Sequence, residues 1–371
     1  MDSKNILIVT HGFFPEISPR SFRATELAKE FVRQGHSVTV IAPQREGLEK
    51  LLEEFNIDFI GYQDVSWKVP KFPIEKAPFG MVNRVITRMS SWLFEYPTIQ
   101  IMGEIRRKLK DLKGYDLLIS IAVPYPVHWG VAKIWEKGSK DNPAKVWVAD
   151  CGDPYMGQQN DTFIPPFYFG WLEKDFCRKA DYLSLPTPNS FEAYYQEFHS
   201  KVKVIPQGFK FEEYRSSQSS RKEGKMVFGY GGMFIPGRRD PREFLEYLME
   251  IEEQSDFEFH VFTNTPQHVE SFSNRSSSIV LHDVVDRMEL MKRFSEMDFL
   301  VNFTNVGKAQ TPSKLIDYAI LGKPILNIET GNLDKELINQ FLKRDYSNTF
   351  VIENPDQYRI ENVTAKFLSL I

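Results

Sequence analysis

Residues 5–42 read NILIVTHGFFPEISPRSFRATELAKEFVRQGHSVTVIA and decide the fold of the first half of the chain. The apolar run at residues 5–10 is typical of a buried parallel strand. Ser18 is placed to cap a helix whose first position is Pro19, and Gly35 is placed to end it. Residues 37–42 are the next strand, so the stretch is one βαβ unit with parallel strands. The apolar face of the helix comprises Ala24, Leu27, Ala28, Phe31 and Val32.

The same alternation continues and then restarts after residues 216–224, which are polar and have the composition of a linker. The pattern predicts an α/β protein with two Rossmann-like, doubly wound parallel-sheet domains facing across a cleft. We expect domains at residues 1–208 and 225–354, a linker at 209–224, and a C-terminal helix within 355–371 that packs back on the first domain. The other predicted strands are residues 116–122, 145–149, 182–185, 226–230, 258–263, 299–304 and 324–328.

Composition agrees with two domains and excludes several classes of protein. The chain has 371 residues, and its 46 basic and 50 acidic residues give a net charge of -4, which disfavours nucleic acid as a partner. Cys151 and Cys177 have neither CxxC spacing nor a nearby His pair, so we expect no disulfide framework and no zinc site. The first apolar run is too short for a signal peptide, and no run is long enough to span a bilayer. We therefore expect a cytoplasmic protein.

A glycine turn follows the first strand of the second domain. Residues 231–232 are both glycine, and Arg238 and Arg239 precede the next helix. Glycines let backbone amides approach an anion, and arginines offer bidentate donors to a diphosphate. Asp240 and Glu243 have the spacing of a capping box. From the residues alone, a tight turn with solvated arginines is the simpler interpretation.

Residues 311–324 contain the strongest local signal. Thr311 is placed to cap a short helix, and Gly322 is placed to end it before a buried strand. The free amides of this helix start, with Lys314 nearby, make a second anion site. Asp317 lies one turn further in, where its carboxylate can accept hydrogen bonds from vicinal hydroxyls. A surface ion pair between Lys314 and Asp317 explains these two residues equally well.

Residues 312–326, PSKLIDYAILGKPIL, resemble the donor-binding motif of family 4 glycosyltransferases, especially of the bacterial surface-polysaccharide branch. The similarity extends in order over most of the chain. The other matching segments are residues 6–10, 14–16, Arg23, 35–40, 180–181, 204–209 and 282–285.

The resemblance implies a GT-B fold, a nucleotide diphosphate-sugar held mainly by the C-terminal domain, and an acceptor on the N-terminal side. It also implies retention at the anomeric carbon without an obligatory metal or other cofactor. Asp317 takes the position of the ribose-binding acid. The chain departs from the family at Ala309, where a second acid is common, and at Met233, where an arginine is usual. The other residues implied at the donor are Gly12, Gly232, Arg238, Arg239, Val284, Val285, Ser313 and Lys314.

Catalysis needs positive charge where the diphosphate departs, and Arg238 and Lys314 can supply it. In a retaining reaction the leaving phosphate itself can receive the acceptor proton, so no protein base is required. Asp153 resembles an aspartate of the same branch, and we expect it to orient the acceptor. His128 and His11 are further acceptor-side candidates, although a lone histidine among aromatic residues is more often structural.

Residues 79–113 predict a basic amphipathic helix that lies on an anionic membrane, where lipid-linked acceptors reside. The alternative is that its apolar face packs on the sheet and its basic face is solvated. Its apolar members are Phe79, Met81, Val85, Ile86, Met89, Trp92, Leu93 and Phe94, and its basic members are Arg84, Arg88, Arg106, Arg107, Lys108, Lys110 and Lys113.

Together these features predict a hexosyl- or aminohexosyltransferase of envelope polysaccharide biosynthesis, peripheral on the inner face of the membrane. Its partners would be a nucleotide-sugar donor and a glycan or lipid-linked acceptor. The alternative is a non-catalytic nucleotide-sugar-binding protein, motivated by Ala309 and Met233. A sugar-nucleotide epimerase is a third reading, but no His/Glu arrangement in the sequence points to one.

Overall fold

The computed structural model describes residues 2–68, 77–158, 164–214, 224–304, 313–352 and 354–371. The side chains of residues 77–81, 189, 214, 313 and 314 lie outside that description. The chain divides into two compact units. The N-terminal unit is Met1–Phe209 together with Gln357–Ile371, and the C-terminal unit is Lys210–Asp356.

The N-terminal unit is built on a parallel sheet. Its strands are β1 (Asn5–Thr10), β2 (Ser37–Pro43), β3 (Asp58–Tyr62), β4 (Tyr115–Ala122), β5 (Ala144–Cys151), β6 (Tyr182–Leu185) and β7 (Val202–Val204). In the described residues their order is β3-β2-β1-β4-β5-β6-β7, and Ile6 of β1 lies between Val38 of β2 and Leu117 of β4. The winding direction reverses between β1 and β4, where ligands bind in open parallel sheets.

Helices cover both faces of this sheet, and the helices that pack on it do so by burying an apolar stripe. Ser18 caps the first helix as predicted, since its Oγ accepts a hydrogen bond from the amide of Ser21 at 3.1 Å. The helices are α1 (Pro19–Arg33), α2 (Glu49–Phe55), α3 (Ala77–Phe94), α4 (Gln100–Leu109), α5 (Pro126–Ala132) and α6 (Phe169–Lys179).

The C-terminal unit repeats the architecture with a smaller sheet. Its strands are β8 (Met226–Gly231), β9 (Phe257–Phe262), β10 (Ile279–His282), β11 (Phe299–Thr304) and β12 (Ile325–Glu329), all parallel and in the order β10-β9-β8-β11-β12 over the described residues. Its helices are α7 (Phe211–Tyr214), α8 (Arg242–Ile251), α9 (Glu270–Ser273), α10 (Arg287–Ser295), α11 (Ser313–Leu321) and α12 (Lys335–Leu342). Phenylalanines dominate the core; the rings of Phe228 and Phe299 stack with centroids 4.5 Å apart.

The last helix, α13 (Ile360–Leu368), belongs to the N-terminal unit and packs on α1. Ile360, Val363 and Phe367 are fully buried in the same cluster as Leu27 and Phe31. The chain thus leaves the N-terminal unit after Phe209 and re-enters it at Gln357.

The predicted strands are all present, with ends that differ by at most two residues. Three strands were not predicted: β3, β7 and β10. All three are edge strands of their sheets. Their residues are largely half-exposed. β3 and β7 lack the continuous apolar run that marks a strand buried on both faces, and the apolar run of β10 is only three residues long.

The prediction of a single basic helix across residues 79–113 was wrong. The structure has α3 and α4, separated at Glu95, whose φ of +50° is left-handed and stops the first helix. Pro97 follows at once and prevents continuation. The two helices therefore point their apolar faces independently.

Candidate functional site

In the C-terminal unit, the glycine turn follows β8 at the carboxyl edge of the sheet. Gly232 has φ +148°, a conformation that favours glycine, and its amide donates to the carbonyl of Phe262 at 3.0 Å. The chain then folds back on itself, because Ile235 and Arg239 exchange backbone hydrogen bonds of 3.1 and 2.8 Å. The Thr330 hydroxyl fixes this turn by donating to the Arg238 carbonyl at 2.8 Å.

The two arginines of the turn have different surroundings. Arg238 is exposed, which agrees with a tight turn that carries a solvated arginine. Arg239 is half-buried, and its Nε is a buried donor without a hydrogen-bond partner among the residues that the structure describes. A buried donor without a partner lowers the stability of a protein by roughly 1–3 kcal/mol. An anion that accepts a hydrogen bond from this Nε would therefore bind more favourably.

The predicted capping box at the start of α8 was wrong. The N-cap of α8 is Pro241, and no described side chain caps it. Asp240, one residue earlier, accepts from the amide of Arg242 at 3.2 Å and pairs with the Arg242 side chain. Glu243 does not return to Asp240; it accepts instead from the amide of Gly331 at 3.2 Å. The amide of Asp240 donates to the Thr330 hydroxyl, so the loop after β12 replaces the expected partner.

Asp317 on α11 forms a two-point ion pair with Arg287, the first residue of α10. The longer contact, from Arg287 Nε to Oδ2, is 3.4 Å. Burial raises the pKa of Asp317, and the positive charge of Arg287 offsets this only in part. The ion-pair partner that the sequence suggested, Lys314, has a side chain outside the described residues.

Local structure holds this pair at the carboxyl edge of the sheet. The hydroxyl of Tyr318 donates to the carbonyl of Val301 at 3.1 Å and accepts from the amide of Gly231 at 3.4 Å, which ties α11 to the glycine turn. Asp286 caps α10 by accepting from two amides, at 2.9 and 3.1 Å. Sequence reasoning missed Arg287; its position directly after a capping aspartate, at a helix start on the ligand-binding edge, was the available signal.

The other donor-side candidates in the described residues lie at or near the surface of the C-terminal unit. Val284 is 63% exposed and Val285 is half-buried, in the segment between β10 and α10 on the same edge of the sheet. Met233 is 43% exposed. The predictions for Ala309, Thr311 and the side chains of Ser313 and Lys314 concern positions outside the described residues.

In the N-terminal unit, Gly12 follows β1 and packs against the first turn of α1. A Cβ at this position would lie 3.1 Å from the amide nitrogen of Ser21 and 3.3 Å from Ser18 Oγ. Glycine therefore allows the loop after β1 to close on the helix start.

His11 belongs to a charged cluster at the ends of β1 and β3. Its Nδ1 is 3.3 Å from the Tyr62 hydroxyl, and its Nε2 is 3.6 Å from Asp64. Arg45 joins the same cluster by donating to the His11 carbonyl at 3.0 Å. Burial lowers the pKa of His11 despite the neighbouring Asp64 carboxylate, so the imidazole is neutral at pH 7.

His128 lies in the core, which contradicts its role as an acceptor-side candidate. It is 0% exposed, and its Nδ1 is 2.8 Å from the Ser120 hydroxyl while its Nε2 is 3.6 Å from Cys151 Sγ. Burial lowers the pKa of His128 to about 3. The histidine is therefore a neutral, hydrogen-bonded core residue, which was the more frequent alternative for a histidine among aromatic residues.

Asp153 is at the surface, directly after β5. Its carboxylate is 67% exposed and lies 3.3 Å from Arg20 Nη2. Arg20 reaches it by packing over Gly152, where a Cβ would fall 1.5 Å from the guanidinium. The backbone of Asp153 is held by the Tyr125 hydroxyl, which donates to its carbonyl. Sequence reasoning missed Arg20, although it precedes the matching residue Arg23 by less than one turn.

An apolar surface patch covers another part of this unit. On α3, Val82, Val85 and Met89 are exposed at helical spacing, whereas Ile101 and Ile105 of α4 are buried in the core. The expected packing on the sheet thus holds for α4 and not for the exposed positions of α3. No helix in the described ranges is long and apolar enough to cross a membrane. The apolar surface patch comprises Val82, Val85, Met89, Phe94, Ile164, Phe167 and Trp171.

Metal-ligating side chains are not clustered in the part of the chain that is described. Within those residues, no group of three or more His, Cys, Asp or Glu is placed to hold a metal ion.

No protein-family model and no curated protein matches this sequence. Solved structures do match it. TarM aligns with a TM-score of 0.60 at 9% identity, covering 100% of this chain and 99% of TarM. Anabaena HepE in complex with UDP-glucose gives 0.54 at 11% identity, covering 99% of this chain and 98% of that chain. UDP-GlcNAc 2-epimerase from Neisseria meningitidis, bound to UDP-GlcNAc, gives 0.55 at 14% identity, covering 99% of each chain.

At such identities these similarities concern the fold. They confirm the predicted fold class: the chain has two parallel-sheet α/β domains of the GT-B type. The fold by itself does not determine the function, because one fold supports several chemistries.

Proposed function

We propose that this protein is a retaining, family 4-like glycosyltransferase that moves a hexose or aminohexose from a nucleotide diphosphate-sugar to a glycan or lipid-linked acceptor. The observation that carries the proposal is the Arg287–Asp317 pair at the carboxyl edge of the C-terminal sheet, tied through Tyr318 to the glycine turn. A carboxylate whose pKa burial raises gains from hydroxyl donors. Ribose hydroxyls are such donors.

The diphosphate would lie between the glycine turn and the start of α11. The buried Nε of Arg239 has no described partner, the exposed Arg238 adds charge, and the helix start offers free amides. Negative charge develops on the diphosphate as the bond from its oxygen to the anomeric carbon breaks, and these groups stabilise that charge. The acceptor hydroxyl attacks from the same face and gives its proton to the departing phosphate oxygen. Configuration is retained, and no side chain has to act as the base.

The test is turnover of a panel of UDP-, GDP- and dTDP-sugars, with and without a lipid-linked acceptor. We expect one donor class to be consumed, with transfer to the acceptor and an unchanged anomeric configuration in the product NMR spectrum. Adding EDTA should leave the rate unchanged, because the proposed charge stabilisation uses arginines, a lysine and amides. An inverted product, or a rate abolished by EDTA and restored by a divalent metal, would contradict the mechanism.

Two other functions predict different outcomes of the same assay. A non-catalytic sugar-nucleotide-binding protein, suggested by Met233 at the family's arginine position, would bind a donor without consuming it. An epimerase, suggested by the 0.55 TM-score to a UDP-GlcNAc 2-epimerase, would change the configuration of the donor sugar without any acceptor.

We further propose that the apolar surface patch lies on an anionic membrane that presents the acceptor. The patch contains large apolar side chains such as Phe167 and Trp171, which are 74% and 68% exposed, and the nearby Arg84 and Arg88 match anionic headgroups. The double variant Phe167→Ser/Trp171→Ser should lose co-sedimentation with phosphatidylglycerol vesicles. Ile17→Ser removes a still more exposed apolar side chain elsewhere in the unit and should leave co-sedimentation unchanged. Equal binding by both variants would exclude the patch.

A further inference from the structure

A cavity of about 290 Å³ lies within the N-terminal unit, between the end of α3 and the segments that follow β4 and β5. Arg88 and Trp92 line it from α3, at the i and i+4 positions of one helix face, and Glu95 lines it directly after the end of that helix. Asp153 and Tyr155 line it from the segment after β5. The cavity therefore lies at the ligand-binding edge of the sheet, and among its lining residues the sequence analysis assigned only Asp153 to a ligand.

Glu95 is the most unusual residue of this cavity. It is a non-glycine residue with φ +50°, and such conformations cluster where a site needs a side chain in a fixed position. The Tyr155 hydroxyl donates to its Oε2 at 2.8 Å, and the Thr98 hydroxyl lies 3.2 Å from its Oε1. Burial raises the pKa of Glu95, and these two hydrogen bonds oppose the rise. A carboxylate has about four acceptor positions, so further hydroxyl groups can bind it.

The aromatic walls are held in place by contacts on their outer sides. The indole Nε1 of Trp92 donates to the Ile164 carbonyl at 2.8 Å. The ring of Tyr155 packs against Tyr125 and Trp129, with centroids 5.0 and 5.6 Å away. The cavity thus combines rigid apolar faces with a few polar groups that point to one space, as small-ligand sites do.

We infer that this cavity binds one uncharged pyranose ring, whose hydroxyls donate to Glu95 and Asp153 while an aromatic wall covers its apolar face. Two carboxylates disfavour a phosphate, even with Arg88 present, because like charges repel. The volume is at the lower limit of ordinary ligand pockets, roughly 300–1,000 Å³, which suits one ring better than an oligosaccharide. Taken as the terminal sugar of the acceptor, this ring rests on the proposed function; sugar binding itself does not.

The experiment measures binding of methyl hexopyranosides and methyl N-acetylhexosaminides to the full chain without donor, by saturation-transfer difference NMR. We expect at least one to bind saturably. Glu95→Gln keeps the shape and removes the charge, and Asp153→Asn does the same at an exposed position that does not threaten folding. Each should weaken binding by about tenfold, since each weakens a charge-assisted hydrogen bond. Glu53→Gln, an exposed carboxylate of α2, is the matched control and should bind as the wild type does.

Three results would overturn the inference: no saturable binding of any glycoside, unchanged binding in both cavity variants, or displacement of the glycoside by geranyl phosphate but not by a second glycoside. Donor hydrolysis by the same variants separates this inference from the proposed function. If wild type consumes a nucleotide-sugar but binds no glycoside, only the cavity assignment fails. If it binds a glycoside but consumes no donor, the cavity assignment stands and the transferase proposal fails.

Discussion

Each unit of the molecule holds a two-point Arg–Asp pair, and the two pairs have different surroundings. In the N-terminal unit, Arg23 and Asp150 are each 1% exposed, with nitrogen-oxygen distances of 2.5 and 2.8 Å. Arg23 also donates to the carbonyls of Pro206 and Ile205, and the Ser184 hydroxyl donates to Asp150. In the C-terminal unit, the side chains of Arg287 and Asp317 are 33% and 18% exposed.

The pKa values of the two carboxylates are shifted in opposite directions by their surroundings. Burial by itself raises the pKa of Asp150, but Arg23 and Ser184 outweigh it and the net pKa lies below the ordinary value. Burial also raises the pKa of Asp317, and Arg287 does not outweigh it. Asp150 is therefore fully satisfied by the protein and stabilises the fold, whereas Asp317 gains from additional donors. We expect this difference in the direction of the pKa shift to distinguish a structural pair from a ligand-binding pair.

The largest expected effect comes from breaking the buried pair. Arg23→Met leaves the Asp150 carboxylate buried without its cation, which should lower the free energy of unfolding of the N-terminal unit by about 3–5 kcal/mol. All six tryptophans lie at or before residue 171, so denaturant unfolding followed by tryptophan fluorescence reports on this unit. Arg107→Met, in the same unit with an arginine side chain that is 62% exposed, should cost far less. Similar losses in both variants would contradict the comparison.

Glu173 is a buried carboxylate without a paired cation among the described residues, and it extends the comparison of the two Arg–Asp pairs. Glu173 on α6 is 1% exposed, and burial raises its pKa from 4.5 to about 7. The folded protein holds this proton more tightly than the unfolded chain, so the associated stability is complete below pH 4.5 and is lost as the pH rises through 7. The loss is at most about 3 kcal/mol. Glu173→Gln should remove this decline in fluorescence-monitored unfolding; an unchanged pH profile would place the titration elsewhere.

The smallest expected change in stability belongs to the C-terminal pair. Arg287→Met should lower the stability of its unit by about 1 kcal/mol or less, because both partners are partly solvated. Hydrogen exchange at α10 and α11, read by mass spectrometry of the corresponding peptides, measures this locally. A loss comparable to that of Arg23→Met would make Arg287–Asp317 a structural pair.

The alternation of buried strands and capped helices was sufficient to predict the fold. Ser18 and the run at residues 5–10 needed only local rules. Edge strands such as β3 were not predicted, because their half-exposed residues do not form a continuous apolar run. The break at Glu95 was not predicted because glutamate rarely adopts a left-handed backbone, so no local rule marks this position.

The sequence predicted those parts of the candidate site that belong to a motif. It did not predict the parts that form through contacts between distant residues. Asp317 and the glycine turn were found from sequence, but Arg287 was not, because 30 residues separate it from its partner. His128 was a candidate because the burial of a histidine between aromatic neighbours cannot be predicted from the sequence. Glu95, Trp92 and Tyr155 come together only through the fold, so no sequence pattern marked the cavity that they line.

The central claim, that Asp317 binds the donor, is tested most directly by calorimetric titration of the consumed nucleotide-sugar into Asp317→Asn. Asp256→Asn, an exposed aspartate of the same unit, is the matched control. Asparagine loses the charged acceptor for the ribose hydroxyls, so we expect the dissociation constant to rise at least about tenfold, with wild-type affinity in the control. Wild-type affinity in a folded Asp317→Asn variant would contradict the claim and leave the Arg287–Asp317 pair without a role in donor binding.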